Sequence, residues 1–390
     1  MLIISFDAVG DAEFERLLEY PAFNAFSKQA AVFRNVPSLF VSNTYPVHVS
    51  VATGVTPGVH GVISNTGRFP SKHPQWNIHE SAIRVKTLWQ AAAEKGIKTA
   101  AVFWPVTAFS KSVRYNIPEV LPQPGKNQIV ASMRAGSKLL QLKMLLRHGR
   151  LLSGVAQPNL DEFATACMVD ILREEKPGLA LIHLTAYDSL CHKNGKGSGA
   201  MDTAMESLDR NLGKLLDISG GGDVLVFSDH SHKNVDTYLE PNKVLTDAGL
   251  LGRGGDIYLH GEHGCFFECC AGSAFFHSGS LGAGEVCEVR GKIEKSEGFG
   301  RFLTDEEMLV SGYSEVSFGF CAKDGYCYAA FAPGHKADHG FPVDTPDYQV
   351  FYMARGFGLS PGSVAQTGSL LDIAPLAASR LGVAGVGAGV

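Results

Sequence analysis

Short runs of apolar and β-branched residues alternate along this chain with stretches whose apolar positions recur at helical spacing. "LIISFD" (2–7) reads as a buried strand. "AAAEKGIKTAAVFWP" (91–105) reads as the end of a helix, a Gly turn and a strand. "EFATACMVDILREEKPGLALIHLT" (162–185) repeats that order, and "AMDTAMESLDRNLGKLLDISGGGDVLVFSD" (200–229) repeats it again. Strands that are apolar throughout, separated by helices of this length, predict an α/β fold. Its central sheet is mostly parallel, with helices on both faces.

The pattern changes between residues 236 and 333, which are richer in Gly, Cys and aromatics and carry short candidate strands at "SAFFHS", "EVSFGFCA" and "YCYAAFA". "DYQVFYMARG" (347–356) and "SLLDIAPLAASRLGV" (369–383) then restore strand-then-helix order. The expected division is a core of residues 1–235 and 334–390, interrupted by a smaller α+β subdomain at 236–333. The closing "GVGAGV" reads as a frayed end. "KNQIVASMRAGSKLLQLKMLLRHGRLL" (126–152) predicts a basic amphipathic helix. Such a helix either lies on a membrane surface or packs on the body with its basic face in water, and the second is favoured.

Composition narrows the function classes. Hydrophobic residues at 45% and charged residues at 19% are ordinary for a globular protein, and a net charge of -5 leaves no basic footprint for nucleic acid. No apolar segment reaches the roughly 18 residues that span a bilayer. The start, "MLIISFDAVG", lacks the basic opening of a secretory signal. The eight cysteines have no repeated spacing, so they do not read as a disulfide framework. "CFFECC" lacks the second Cys/His pair that a metal knuckle needs. Together these features read as a cytoplasmic protein.

Four separated places put carboxylate or imidazole at the end of an apolar run. They are Asp7 after "LIISF", Asp188 and His192 in "AYDSLCHKNG", Asp229 and His230 in "VFSDHSH", and His335, Asp338 and His339 in "GHKADHGF". A lone Asp at a strand end is usually a helix cap, and a lone His is usually structural. In an open parallel sheet, however, strand ends at one edge meet, so these groups converge. Crowded carboxylates repel unless a cation neutralises them, and no matching Arg/Lys cluster lies nearby in the sequence. A pair of divalent ions answers this. The mixed Asp/His set favours zinc and leaves manganese or iron open.

The ordered set "SFDAVG", "NTYPVHVSVATGVTPGVHGVISN", "YDSLCHKNG", "FSDHSH" and "DHGF" resembles the alkaline phosphatase superfamily, specifically its nucleotide pyrophosphatase/phosphodiesterase branch. The resemblance implies an alkaline-phosphatase-like core in which Thr44 is the nucleophile at a helix N-terminus. It implies one ion on Asp188, His192 and His339, and a second on Asp7, Asp229 and His230 with Thr44. Asn65 takes the place of the family's phosphoryl-binding Asn. Tyr45 supplies an aromatic wall beside the nucleophile. His183 stands where nucleotide-hydrolysing members carry an aromatic that stacks on the base. The chain departs from the family where Ser231 and His232 follow Asp229-His230 in place of Gly; His232 reads as a supporting or exposed residue.

The leading expectation is therefore a two-metal phosphodiesterase or nucleotide pyrophosphatase with a small phosphodiester or nucleotide-like substrate. The alternative is a phosphomonoesterase or phosphonate hydrolase of phosphonoacetate hydrolase type. It needs a cationic donor, for which Arg68 and Lys193 are the candidates. "TYPVH" lacks the Cys or Ser of a sulfatase. A metal-binding pseudoenzyme would have lost a ligand or the nucleophile, and none is missing.

Overall fold

Eight strands form the central sheet of the computed structural model, which describes residues 1–121 and 125–387. The last three residues of the "GVGAGV" tail lie outside the described residues. In chain order the strands are β1 (Leu2–Phe6), β2 (Ala31–Val36), β3 (Thr99–Val102), β4 (Tyr115–Ile117), β5 (Leu179–Leu184) and β6 (Val224–Ser228), followed by Val350–Arg355 and Val364–Ala365. Across the sheet the order is Val364–Ala365, β2, Val350–Arg355, β6, β1, β5, β3, β4. Every pairing is parallel except those of Val350–Arg355, which runs antiparallel between β6 and β2. The mostly parallel sheet read from the sequence is the sheet observed.

Every residue of β1, β5 and β6 is buried, because helices cover both faces. Alternate side chains of β1 enter different cores. Leu2, Ile4 and Phe6 pack with Phe163, Met168 and Leu208 from the helices Asn159–Glu174 and Ala200–Ser219. Ile3 packs with Val47, Val51 and Trp89 from the helices Thr44–Thr53 and Leu88–Glu94. A fully buried strand is thus read twice, once by each layer.

Residues between β6 and the strand Val350–Arg355 build separate sheets. An antiparallel sheet of Phe266–Cys270, Ser273–His277, Phe318–Ala322 and Phe299–Phe302 closes on its own aromatic core of Phe267, Phe276 and Phe320. The strand Lys233–Leu239 crosses the expected boundary at 235 and pairs with Gly325–Tyr328 and Ala337–Asp338.

The single basic helix expected over 126–152 is corrected to two helices, Gln128–Ala135 and Lys138–His148. The break falls at Gly136, where an added Cβ would lie 2.6 Å from the Asn116 carbonyl oxygen and 2.4 Å from Pro118. Only a bare backbone passes so close to β4, so the helix axis must turn there. Leu140 and Met144 anchor the second helix in the core, while Leu139 and Leu146 are 85% and 80% exposed. Among the described residues no helix is long and apolar enough to cross a membrane.

Asp170 ties this second helix to the helix Asn159–Glu174. It accepts from His148 at 2.9 Å, Arg147 at 3.0 Å and Arg173 at 3.3 Å. Burial raises its pKa, but His148 and Arg147 outweigh that and hold it below the ordinary value. A depressed carboxylate stabilises the fold above its unfolded pKa of about 3.9, and that contribution is lost as pH falls through the folded value. Asp170→Asn is therefore expected to cost about 1 kcal/mol at pH 7, after allowance for partial exposure. Denaturant unfolding of both proteins should show the gap closing toward pH 3; a gap independent of pH would contradict the assignment.

Candidate active site

Register brings the first two carboxylates together. Phe6 pairs with both Leu184 of β5 and Ser228 of β6, so Asp7 and Asp229 leave adjacent strands at the same level and the same edge. Ala8, just past Asp7, has φ 63°, which costs an L-residue about 1 kcal/mol. Its N–H donates to Asp229 Oδ1 at 3.0 Å, and the His230 N–H donates to the same oxygen at 3.0 Å. One carboxylate oxygen is thereby fixed, while Asp229 Oδ2 and Asp7 Oδ1 are buried without a hydrogen-bond partner. His230 Nε2 lies 3.5 Å from Asp7 Oδ1, 3.4 Å from Asp229 Oδ2 and 3.3 Å from Thr44 Oγ1.

The second group begins one turn into the helix Ala186–Asn194 that follows β5. Asp161 starts this helix from outside by accepting the Thr185 and Ala186 N–H groups, each at 2.9 Å. Asp188 and His192, four residues apart, then share a helix face, with His192 Nε2 3.3 Å from Asp188 Oδ1. The His192 Nδ1–H donates to the Ala337 carbonyl at 2.8 Å, which leaves Nε2 to face the site.

His339 arrives from the far side of the insertion. Pairing of Asp338 with Lys233 carries it beside β6, where its ring lies 4.2 Å from that of His230. Gly340 has φ 80°, and a Cβ there would lie 1.9 Å from the Cys270 carbonyl oxygen, so the turn after His339 accepts only glycine. The His339 Nδ1–H donates to Asn43 Oδ1 at 2.8 Å. Asn43 precedes the helix Thr44–Thr53 but makes no capping bond. Its side chain instead orients His339.

Thr44 opens that helix and is 8% exposed. The Tyr45 N–H donates to Asn65 Oδ1 at 2.8 Å, which leaves Asn65 Nδ2 as the amide's donor. Thr44, Tyr45, Asp7, Asp188, Trp76, Phe103 and Glu119 share the wall of one cleft of about 250 Å³. The Tyr45 ring lies 5.4 Å from Trp76.

One substrate assignment is corrected. His183 is fully buried in β5, with Nε2 3.1 Å from Asp7 Oδ2 and its ring 4.4 Å from that of His48. It stands beneath the carboxylates, away from the cleft wall, so it does not stack on a substrate. His232 is fully buried, not exposed, with Nε2 2.8 Å from Asp188 Oδ1. Asp188, His192 and His232 bring their ligand atoms within 4.8 Å of one another, and so do Asp188, His230 and His339.

Sequence reasoning also missed His48. Its Nδ1–H donates to the Thr44 carbonyl at 2.8 Å, and its Nε2 accepts from the Ser5 hydroxyl at 2.8 Å. Glu119 was missed as well. It follows β4, a strand of three residues that is too short to mark the hydrophobic pattern.

The electrostatics reflect concentrated, uncompensated charge. Burial, and then Asp188 and Asp229, push the Asp7 carboxyl well above its ordinary value. Burial lowers His230 to about 3. For His192, Asp188 and Asp338 overcome burial and raise it to about 10. No Lys or Arg lines the cleft among the described residues. Partnerless carboxylate oxygens and correctly oriented imidazole nitrogens in one buried space form the donor set of transition-metal sites. The residues therefore fit divalent metals, with Asp7, Asp229 and His230 in one group, and with Asp188 in two others, beside His192 and His232 and beside His230 and His339.

A mostly parallel sheet with these groups at its carboxyl edge defines the alkaline phosphatase superfamily class. Residues 1–286 match the family model described as type I phosphodiesterase/nucleotide pyrophosphatase, and the chain belongs to that family. It is 21% identical over 241 residues to human ectonucleotide pyrophosphatase/phosphodiesterase family member 1, covering 58% of this chain and 23% of that protein. It is 22% identical over 186 residues to venom phosphodiesterase 2 of Crotalus adamanteus, covering 46% of this chain and 19% of that one. The chain thus spans less than a quarter of the length of these curated relatives. Among solved structures, murine ectonucleotide pyrophosphatase/phosphodiesterase 5 superposes with a TM-score of 0.71 at 15% identity, over 99% of this chain and 95% of that one. An inactive variant of the murine protein has been solved in complex with AMP.

Proposed function

We propose that the chain is a metal-dependent phosphodiesterase that acts through Thr44, with two divalent ions, zinc by the character of the donors. The observation that carries this reading is the gathering of Thr44 Oγ1, His230 Nε2 and the two partnerless carboxylate oxygens of Asp7 and Asp229. Held by Asp188, His192 and His339 and by Asp7, Asp229, His230 and Thr44, the ions would supply Lewis-acid charge that activates a hydroxyl and offsets phosphoryl oxygens.

This chain's own residues do the rest. Thr44 Oγ1 attacks phosphorus, the bond to the leaving oxygen breaks, and water then releases the phosphoryl group from the threonine. Asn65 Nδ2 and the Thr44 N–H donate to non-bridging oxygens, where charge grows in the transition state. Asn43 and the Ala337 carbonyl fix the faces of His339 and His192. Tyr45 and Trp76 wall one side of the cleft. The AMP complex of the murine relative supports a nucleotide-like substrate as one candidate. All eight cysteines are free, which supports a reducing, cytoplasmic setting.

The monoesterase and phosphonate readings need a cation at the phosphoryl group. Arg68 lines neighbouring pockets, Lys193 is exposed, and neither lines the cleft. A diester carries one phosphoryl charge and a monoester carries about one more, which would face the carboxylates. Bis-p-nitrophenyl phosphate is therefore expected to exceed p-nitrophenyl phosphate in kcat/KM by about a hundredfold. The reverse ranking at matched pH and metal would return the chain to the phosphatases or phosphonate hydrolases.

A further inference from the structure

Beside the catalytic cleft lies a second, larger cavity of about 570 Å³, a volume in the range of ligand sites. The helices Gln128–Ala135, Lys138–His148 and Asn159–Glu174 all contribute to its wall. Phe103, Gln128, Ser132, Val155 and Leu160 line both spaces, so the cavity adjoins the cleft that holds Thr44.

Among the described residues, no charged side chain lines this cavity. Each of its amide and hydroxyl side chains makes at least one hydrogen bond within the protein. Asn127 Oδ1 caps its helix by accepting the Val130 N–H at 3.1 Å, and Gln128 Nε2 donates to the Val120 carbonyl at 2.9 Å. Ser132 Oγ donates to Gln141 Oε1 at 2.7 Å, and Gln141 Nε2 returns a bond to the Ser132 carbonyl at 3.0 Å. Leu145, Leu152, Leu160 and Phe163 make up much of the remaining surface. A base or sugar placed here would lose its bonds to water and find few replacements, whereas an aliphatic chain needs none.

Charge at the junction points the same way. The ionisable groups on the cleft wall are Asp7, Tyr45, Glu119 and Asp188, with no Lys or Arg among the described residues. Glu119 is buried and its Oε2 has no hydrogen-bond partner. Burial, with Asp188 and Asp229, raises it to about 8 against the opposing effect of the Tyr45 hydroxyl. A leaving pyrophosphate would find no cation on this path.

We propose that the cavity receives one ester substituent of the substrate, and that this substituent is an aliphatic chain rather than a nucleoside or a polyphosphate. The inference rests on the phosphodiesterase reading and specifies its substrate class. Aliphatic and aromatic side chains make up most of the wall, its polar side chains brace the helices, and Phe103 lines both the cavity and the cleft.

The test is a series of p-nitrophenyl alkyl phosphates, methyl to octyl, kept below their aggregation concentrations, alongside thymidine 5′-p-nitrophenyl phosphate. Each methylene that fully leaves water is worth up to about a fourfold gain, so even with partial burial kcat/KM should rise at least about a hundredfold from methyl to octyl. The octyl ester should also exceed the thymidine ester. Gly149 lines the cavity, and an added Cβ there meets nothing within 4 Å. Gly149→Trp is therefore expected to pull the octyl-to-methyl ratio toward one, as is Leu145→Trp from a second position. A flat series in the parent, or a thymidine ester that outperforms the octyl ester, overturns the proposal and leaves the phosphodiesterase reading standing. Hydrolysis of none of these diesters by the metal-loaded protein overturns both.

Discussion

Thr44→Ala is expected to lower kcat/KM for a phosphodiester by at least about a thousandfold while leaving the fold intact. Thr44 is buried at the first turn of its helix, and among the described residues its Oγ1 hydrogen-bonds only His230 Nε2, at 3.3 Å. The substitution removes an attacking oxygen and one donor to an ion, but no apolar packing of consequence. The other donors, Asp7, Asp229 and His230, come from β1 and β6 and do not depend on the hydroxyl. Circular dichroism, unfolding midpoint and metal content should therefore stay near those of the parent. Thr44→Ser, which keeps the oxygen and frees its rotamer, should retain measurable turnover and trap as a phosphoserine on rapid quenching. An alanine variant as active as the parent would mean that water attacks phosphorus directly.

Stripping metal is expected to have an effect of similar size. Purified protein should carry about two transition-metal ions per chain, because six side chains divide into two sets of three. Chelation should reduce turnover by about a thousandfold or more, reversed by zinc or manganese. A structural readout separates this from mere inhibition. Asp7 Oδ1 and Asp229 Oδ2 are buried without partners, so the metal-free fold bears their desolvation unrelieved. An ion that binds only the folded chain raises the melting temperature in proportion to its occupancy. Activity and melting temperature both indifferent to chelator, in protein that elemental analysis finds metal-free, would exclude the two-ion site.

The parallel sheet was legible because β1, β5 and β6 are mostly apolar runs, each with a single polar residue, and alternate with helices of clear amphipathic period. Asp7, Asp188 and Asp229 could be placed together from that order alone, since strand ends at one edge of such a sheet are neighbours. The identity of buried faces was not legible. In a strand covered on both sides, nothing in the run "LALIHL" says which way His183 turns, and its place under Asp7 emerged only with the fold. The roles of His48 and Asn43 depend on contacts with Ser5 and His339, 43 and 296 residues away. The helix break at Gly136 was hidden because its cause is the approach of Pro118 and Asn116 rather than any local propensity.

The pairing of Asp338 with Lys233 carries a consequence for how the site comes into being. On the ribosome, Asp7, Thr44, Asp188, His192, Asp229, His230 and His232 all emerge before residue 235, and His339 follows only after the whole inserted segment. Domains fold as they are synthesised, N-terminal parts first. On the two-ion reading proposed above, the side chains of Asp7, Asp229 and His230 are all present in the nascent chain before the insertion is made, and so are Asp188, His192 and His232. His339 is the one imidazole of the site whose arrival depends on the inserted segment having folded and docked.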